Sequence, residues 1–255
     1  MQPVLIFRRL SLCLLLGSSA SLSAATLFSE NFESLPLGPY VSPTESGGDG
    51  TDWTATAPTG WVKDQTTTPV GGPPEWFGFT FHDRQSWINT EGDQNRSAWA
   101  GGTGTVMVAD PDAYDDGNID ISGQLYNVRI TTPAISLAGV SAGSVVLGFD
   151  SSFRVEGAQT ALVDVTFDGV NFTNLLTYNS TLLTDGATIN TLQSLPVNNP
   201  GAGSMWFRFS VVNAENNWWF AVDNINVTGT AVPEATSGML CLLAAAGVTA
   251  RRRRS

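Results

Sequence analysis

Short runs of alternating apolar and polar residues, separated by Gly, Pro, Asn and Asp, constrain the fold of this chain more than any other feature. Between the two ends, no stretch keeps a helical period for three turns, whereas period-two alternation recurs throughout. The clearest predicted strands cover residues 27–33, 103–109, 144–153, 161–167, 171–178, 205–212 and 218–227. The pattern predicts an all-β protein built as a two-sheet sandwich.

Two connections between these strands have turn signals. Asp168 and Gly169 lie between two alternating runs, which predicts a β-hairpin with a primed turn and positive φ at both central residues. Residues 214–217 predict the turn of a second hairpin. Residues 34–74 are rich in Gly, Thr and Pro, which predicts mostly long surface loops.

The start of the chain has the layout of a secretory signal peptide. Arg8 and Arg9 precede a short apolar run, and small residues at 23–25 suit cleavage before Thr26. The run is too short to span a bilayer comfortably. The sequence therefore predicts a signal peptide over residues 1–25 and export of the chain.

The last residues, 231–255, combine a Pro-containing motif at 232–236, an apolar stretch at 238–250 that predicts a short transmembrane helix, and an arginine cluster at 251–254. Arginines resist translocation, so the layout holds an extended peptide beside a membrane. The motif and the cluster consist of Val232, Pro233, Glu234, Ala235, Thr236, Arg251, Arg252, Arg253 and Arg254.

This layout closely resembles the PEP-CTERM sorting signal of Gram-negative bacteria, in which a Val-Pro-Glu-Pro motif, an apolar helix and an arginine cluster are processed by an exosortase. Ala235 stands where the second proline is usual. The resemblance implies an exosortase-type membrane protease as a partner and transient anchoring in the inner membrane. Proteins of this kind accompany exopolysaccharide and biofilm production, which implies a polysaccharide ligand.

Charge excludes one class of partner. The whole chain has a formal charge of −11, and residues 26–230 alone, with six cations and 22 acids, have −16. Such a surface repels phosphate backbones, which excludes a nucleic-acid partner. Among polysaccharides, it favours neutral sugars, or anionic polymers bridged by cations, over direct binding of anions.

Residues 26–230 are long enough to form one domain with a sizeable core. The run Asn31-Phe32-Glu33 near the start, and the run Phe-Ala-Val-Asp-Asn-Ile at 220–225, resemble jelly-roll modules of the concanavalin A-like kind, which include MAM-type and carbohydrate-binding domains. The resemblance implies a two-sheet jelly-roll sandwich over residues 26–230.

Several catalytic chemistries lack the residues that they need. His82 is the only histidine, and both cysteines, Cys13 and Cys241, lie in the terminal apolar segments. A multi-histidine metal site and thiol chemistry in the body are therefore excluded, and no nucleophile-elbow pattern surrounds His82. We identify no catalytic residue. A carboxylate pair for glycoside hydrolysis stays open, because sequence spacing does not measure the distance between two acids.

The acidic segment 110–120 is the most informative candidate for metal binding. It places Asp110, Asp112, Asp115, Asp116 and Asp120 directly after a predicted strand. Carboxylates at this density favour either full solvation or a hard cation, and calcium is the natural candidate. The spacing is not that of an EF-hand, so a solvated acidic loop is the alternative.

A second calcium candidate follows from the jelly-roll resemblance. Several carbohydrate-binding jelly rolls hold an ion where the first and last strands meet, and Glu33 and Asp223 match those positions. The alternative is that Asp223 accepts backbone hydrogen bonds near a strand end. Either ion would be structural.

All eight tryptophans lie in the body, and an exposed tryptophan in a loop is the usual platform for a sugar ring. Trp76, Trp87 and Trp99 lie in loop-rich sequence and are the predicted ligand-binding residues, with ordinary packing as the alternative. Trp206 and the pair 218–219 lie in strand runs, and at least one of the pair is expected in the core.

The sequence thus predicts an exported, non-enzymatic envelope or matrix protein with a polysaccharide-binding sandwich domain. Two alternatives stay open: a secreted glycan hydrolase with a carboxylate pair in a groove, and a purely structural surface protein without a small ligand. A cleft with two acids would favour the hydrolase, and a self-complementary exposed edge would favour the structural protein.

Overall fold

The computed structural model describes residues 23–38, 51–116, 121 and 123–232. The strands within these ranges are β1 (Ala24–Glu30), β2 (Trp53–Thr54), β3 (Val62–Asp64), β4 (Thr80–Asp83), β5 (Thr105–Ala109), β6 (Tyr126–Thr131), β7 (Ile135–Ser136), β8 (Val145–Arg154), β9 (Thr160–Thr166), β10 (Thr173–Asn179), β11 (Thr188–Val197), β12 (Ser204–Ala214) and β13 (Phe220–Thr230). The helical elements are α1 (Arg84–Thr90), a 3₁₀ turn (Arg96–Ala98) and α2 (Pro111–Asp116).

The strands pair antiparallel and form two sheets. The first sheet has the order β11-β8-β13-β5-β4-β2, with β1 joined to β13. The second sheet has the order β10-β9-β12-β6-β3, with β7 joined to β12. The predicted all-β sandwich of two sheets is therefore confirmed.

Aromatic side chains from the two sheets meet between them and form the centre of the core. Phe149 of β8 meets Phe209 of β12 edge to face, with ring centroids 5.5 Å apart. Phe153 of β8 stacks on Tyr178 of β10 at 5.4 Å. Because successive residues of a strand point to opposite faces, these contacts fix which residues of each strand point outwards.

The predicted strands correspond to β1, β5, β8, β9, β10, β12 and β13, with shifts of a few residues at their ends. The sequence pattern misses β6, β11 and the short strands β2, β3, β4 and β7, of which β2 and β3 lie within the predicted loops of residues 34–74. In β11, which is an edge strand of the first sheet, most residues are partly exposed on both faces, so the alternation that marks a half-buried strand is weak.

The two predicted hairpins have different outcomes. β9 and β10 form a hairpin as predicted, but residues 167–172 connect them and only Gly169 among them has positive φ, so the predicted primed turn is wrong. The second predicted hairpin, at residues 214–217, is also wrong, because β12 belongs to the second sheet and β13 to the first. That connection crosses the sandwich.

Both predicted targeting segments lie mostly outside the described residues. Ala24 and Ala25, at the end of the predicted signal peptide, belong to β1 and pair with Thr230 and Gly229 of β13. In the described part of the chain, no helix is long and apolar enough to cross a membrane. The predicted transmembrane helix at 238–250 lies beyond that part, so it stays a prediction.

Residues 84–104, here termed the cover segment, pack on the outer face of the first sheet. In β8, Ser151 and Phe153 both contact Tyr178 of the second sheet. Ser152 lies between them, so its side chain points outwards. Trp219 donates its Nε1–H to Ser152 Oγ at 2.9 Å. The guanidinium of Arg96, in the cover segment, lies 4.2 Å from the Trp219 ring centroid.

Arg96 is fully buried and fastens the cover segment. Its Nη2 donates to Asp110 Oδ2 at 2.8 Å, and Trp87 Nε1 donates to the same oxygen at 3.0 Å. Nη1 of Arg96 donates to the carbonyl oxygens of Glu91 and Gly92 at 3.0 and 2.9 Å. Since a buried charge is tolerated only when it is paired and hydrogen-bonded, these contacts hold the segment in one conformation.

His82 of β4 is buried in an aromatic environment. Its ring stacks on Trp76 with centroids 4.1 Å apart, and Nε2 lies 2.9 Å from Thr80 Oγ1. Glu75 Oε1 lies 3.9 Å from Nδ1, which is too far for a hydrogen bond. Burial lowers the pKa of His82 to about 3, with a smaller lowering by the Lys63 charge, so the imidazole is neutral in the folded protein.

We expect the buried His82 to make the free energy of unfolding fall as the pH drops. The unfolded imidazole gains a proton below its ordinary pKa of 6.5, whereas the folded one gains it only near pH 3, so acid favours the unfolded state between these values. From pH 6.5 to pH 5 the folded state should lose about 2 kcal/mol relative to His82→Gln. Urea denaturation of both proteins across this range measures the difference. An equal pH dependence of the two proteins would contradict the neutral, buried imidazole.

Candidate functional site

The outer face of the second sheet is the candidate site, since the cover segment lies on the first sheet. Trp206 and Arg208 of β12 flank the fully buried Phe207, so both point away from the core. In the register of the sheet, Arg208 lies opposite Thr131 of β6 and opposite Asp164 of β9. Aromatic and charged side chains therefore share one open face.

A groove of about 480 Å³ lies on this face and is here termed the Trp206 groove. Its described lining residues are Gly60, Val62, Thr131, Thr132, Pro133, Ala134, Thr166, Gly169, Phe172 and Trp206. Two aromatic residues and three threonines are among them, and neither Asp nor Glu is. Thr132 and Thr166 are buried and their hydroxyls bond within the protein, whereas Thr131 is partly exposed. Gly60 has a φ of 84°, and a Cβ there would lie 3.0 Å from Pro133 Cβ, so glycine permits the close approach that forms one end of the groove.

The loop 167–172 forms the opposite wall and is held by one side chain. Asp168 Oδ1 accepts hydrogen bonds from the backbone N–H groups of Val170 and Asn171 at 2.9 and 2.7 Å, and from Thr166 Oγ1 at 2.9 Å. Its Oδ2 accepts from Asn171 Nδ2 at 2.7 Å. These donors hold the pKa of Asp168 well below its usual range. The fixed loop delivers Phe172 to the groove.

Arg208 connects Phe172, in the loop 167–172, to Asp164 of β9. Its guanidinium lies 3.6 Å from the centroid of the Phe172 ring. Two of its nitrogens, Nε and Nη2, donate to Asp164 Oδ2 at 3.3 and 2.9 Å. The other oxygen of Asp164 accepts a hydrogen bond from Asn174 Nδ2 at 3.0 Å. The ring, the cation and the carboxylate therefore form one ordered unit beside the groove.

A second charge pair lies in the next row of the same face. Arg129 of β6 is opposite Asp64 of β3 in the register, with Nη1 and Oδ2 3.8 Å apart. Hydrogen bonds from Thr66 lower the pKa of Asp64, with smaller effects of Arg129 and Arg208, so the carboxylate is ionised at neutral pH. Each arginine of the face is thus matched by one aspartate.

The three tryptophans predicted to bind ligand are core residues, and that prediction is wrong. Trp76, Trp87 and Trp99 each expose about 1% of their surface. Trp76 stacks on His82, Trp87 donates to a buried carboxylate, and the Trp99 ring lies where a Cβ on Gly102 would be 2.5 Å away. The loops around Trp76 and Trp99, and helix α1 with Trp87, pack into the protein, where large apolar side chains exclude water.

Sequence reasoning missed Trp206 and Phe172 as surface residues. The available signal was the alternation in β12, in which Trp206 lies between Met205 and Phe207, both fully buried. A strand that points Phe207 inwards must point Trp206 outwards. No comparable signal marks Phe172, because its position depends on the loop geometry.

Calcium binding by the acidic segment stays untested, and only its residues 110–116 are described. Asp110 is fully buried in its ion pair with Arg96, and the next residues form α2 rather than a loop. Burial and the charges of Asp110 and Asp116 raise the pKa of Asp112 to about 7. Asp115 Oδ1 accepts a hydrogen bond from the Ile121 N–H at 2.9 Å. Asp120 lies outside the described residues.

Glu33 and Asp223, the second calcium candidate, lie near each other beside a third acid. Asp223 of β13 lies opposite Asp150 of β8, and these two with Glu33 are here termed the acidic junction. Thr103 N–H donates to Asp223 Oδ2 at 3.0 Å, and Thr105 N–H donates to Glu33 Oε1 at 3.2 Å. Burial and the charges of Glu33 and Asp150 raise the pKa of Asp223 to about 6.

A metal at these acids stays untested. The oxygen donors have the chemistry that calcium prefers. Over residues 23–38, 51–116, 121 and 123–232, however, no three His, Cys, Asp or Glu side chains converge as a metal site requires. The observed partners of Asp223 are N–H groups, which is the alternative that the sequence analysis left open.

Comparisons with known proteins find solved structures that resemble this chain only at low sequence identity and low TM-score. No protein-family model and no curated protein matches the chain. The K1 cleaved adhesin domain of Lys-gingipain from Porphyromonas gingivalis is 13% identical, with 80% of this chain and 97% of that chain covered and a TM-score of 0.46. TmCBM61 in complex with beta-1,4-galactotriose is 10% identical, with 66% and 88% covered and a TM-score of 0.37. Because one sandwich architecture hosts many unrelated functions, such similarity does not identify the ligand of this chain.

Proposed function

We propose that this protein is a non-enzymatic, exported envelope or matrix protein that binds polysaccharide on the outer face of its second sheet. The observation that carries the proposal is the Trp206 groove, in which Trp206 and Phe172 border a surface that includes the partly exposed Thr131. Aromatic faces stack on the C–H faces of sugar rings, and side-chain hydroxyls bond sugar hydroxyls. The groove offers both kinds of contact at once.

The size and place of the groove suit part of a polymer. Its volume of about 480 Å³ lies within the range of roughly 300–1,000 Å³ that is usual for ligand sites. A groove on a sheet face, unlike a closed cavity, admits a chain that continues beyond it. The ordered unit of Phe172, Arg208 and Asp164 limits the conformational entropy lost on binding.

The side chains around the groove support binding rather than hydrolysis. Glycoside hydrolysis needs two carboxylic acids on opposite sides of the bond, roughly 5–9.5 Å apart. The described lining of the groove has no acid, and the nearby Asp164 is engaged by Arg208 and Asn174. The glycan hydrolase is therefore the weaker candidate.

Replacing Trp206 should weaken polysaccharide binding. We expect Trp206→Ala to raise the dissociation constant at least about tenfold, since the variant loses a ring that stacks on sugar. Retardation of the purified protein in gels that contain soluble polysaccharides measures the effect.

Trp218→Ala is the matched control. Trp218 is also partly exposed, and Arg154 lies 4.0 Å from its ring, but it precedes β13 of the first sheet. We expect this variant to bind like the unmodified protein. If both substitutions weakened binding equally, the proposed site would be contradicted. If no polymer retarded the unmodified protein, the site would also be contradicted, and a purely structural protein would be favoured.

The proposal includes sorting by the C-terminal segment. The order of parts supports it: the motif at 232–236, the apolar stretch at 238–250 and the arginine cluster at 251–254. In this form of the proposal the signal peptide exports the chain, the segment holds it in the inner membrane, and an exosortase-type protease then processes it.

Removing the arginine cluster should impair this sorting. We expect replacement of residues 251–254 by glutamine to reduce retention of the segment and the yield of processed protein, because cationic side chains oppose translocation. Mass spectrometry of the C-terminus of protein from membrane and medium fractions distinguishes the forms. Normal processing of the variant would contradict the sorting role. As a control, insertion of a His-tag within the loop 167–172 should leave processing unchanged.

The proposal also includes a structural calcium ion at the acidic junction. Its support is the meeting of Glu33, Asp150 and Asp223 with only oxygen ligands to offer. Backbone approach is close here too, since a Cβ on Gly101 would lie 2.2 Å from Asp150 Oδ1 and one on Gly104 would lie 2.2 Å from Glu33 Oε1. An ion would draw on the carboxylates of Glu33 and Asp223 and on neighbouring carbonyl groups.

Calcium should therefore stabilise the protein through Asp223. We expect added CaCl2 to raise the melting temperature of the unmodified protein and to have a much smaller effect on Asp223→Asn. Asp185→Asn, at an exposed position between β10 and β11, serves as the control with the same change in charge. An unchanged melting temperature of the unmodified protein would mean that N–H donors alone hold the junction.

A further inference from the structure

We propose that the polysaccharide bound in the Trp206 groove is uncharged, and that Asp164 is the residue that excludes acidic polymers. The inference rests on the proposed function and assigns its substrate class. Net charge alone leaves two options, a neutral polymer or an anionic polymer bridged by cations. The local arrangement of charges on the face decides between them.

Two arginines, Arg208 and Arg129, point outwards on this face. A free arginine beside an aromatic ring would attract the carboxylate of an acidic sugar, because guanidinium binds carboxylates through charge-assisted hydrogen bonds. Whether the face selects acidic or neutral sugars therefore depends on whether these two cations are available.

Arg208 is not available. Two of its nitrogens donate to Asp164 Oδ2, and one face of its guanidinium covers Phe172 at 3.6 Å. The Asp164 side chain is 7% exposed and Asn174 holds its second oxygen, so the carboxylate is fixed toward the cation. An incoming carboxylate would have to displace a partner that is already in place and partly shielded from water.

Arg129 is balanced as well. Asp64, 3.8 Å away, has the opposite charge in the same row of the sheet. The two pairs cancel each other, and the ionised Asp168 in the loop 167–172 adds one negative charge beside the groove, within a domain that has an excess of acids. A uronic acid would thus meet no free cation and a repulsive long-range field.

The same face offers an aromatic ring and a hydroxyl, which are the contacts that neutral sugars need. Thr131 is partly exposed and lines the groove together with Trp206. An uncharged sugar ring stacks on the indole and bonds the Thr131 hydroxyl without any change in the charge pairs. Binding should therefore depend little on salt, since no net charge is neutralised on binding.

The test compares the full-length protein in gels that contain a neutral polymer, such as hydroxyethylcellulose, dextran or a galactan, with gels that contain polygalacturonate or alginate. We expect retardation by at least one neutral polymer, unchanged between low and high NaCl, and none by the acidic polymers with or without CaCl2. Stronger retardation by an acidic polymer, or retardation that requires calcium, would overturn the inference and leave the proposed function intact. Retardation by neither class would overturn both.

Asp164→Asn tests the assigned residue. Asparagine has nearly the same shape, so the variant releases the charge of Arg208 and should gain binding to polygalacturonate of about tenfold at low salt, with neutral binding retained. Asp185→Asn changes the net charge equally at an exposed position between β10 and β11 and should show no gain.

A second variant covers the case in which Asp164→Asn does not fold. Asp64→Asn removes the partner of Arg129 at a half-exposed position, and it should also gain affinity for the acidic polymer. Folded variants that show no gain over Asp185→Asn would overturn the role of the paired aspartates. A gain by Asp185→Asn as large as theirs would show that net charge alone excludes acidic polymers.

Discussion

A buried ion pair between Arg96 and Asp110 determines how the two faces of this sandwich differ. It is fully shielded from water, and it ties residues 84–104 to the end of β5. Removing one partner of such a pair leaves an uncompensated buried charge. While the pair holds, the cover segment stays on the first sheet, and its aromatic side chains become core. The second sheet has no such cover over the groove described above, and its outer face is free for a ligand.

Strand geometry then converts this asymmetry into a site. Alternation along β12 places Trp206 and Arg208 outwards because Phe207 and Phe209 point inwards. The loop 167–172 adds Phe172, and Asp164 on the neighbouring strand neutralises the arginine. The same register that builds the core therefore arranges an aromatic and hydroxyl-bearing surface whose charges cancel in pairs.

The acidic junction has a different role, which is to join parts of the first sheet. The partner of β13 changes from β5, up to Val222, to β1, from Ile225 onward. Asn224, at this change, has a φ of 52° and donates its Nδ2 to the carbonyl of Gly101 at 2.9 Å. Opposed carboxylates on adjacent strands repel each other, so the N–H groups that reach Asp223 and Glu33 are needed for the strands to meet here.

The sequence by itself determined the all-β sandwich, most of its long strands and the hairpin around Gly169. These features depend on local alternation and on turn residues, which can be read along the chain. Only the tertiary structure decided which tryptophans are buried, because a loop tryptophan is exposed or buried according to the surface on which the loop packs. It also decided that Asp110 forms an ion pair with Arg96 instead of joining the other acids of its segment around a cation, and that Asp164 neutralises Arg208. Both pairs join residues on different strands or loops, and spacing along the chain does not encode the distance between them.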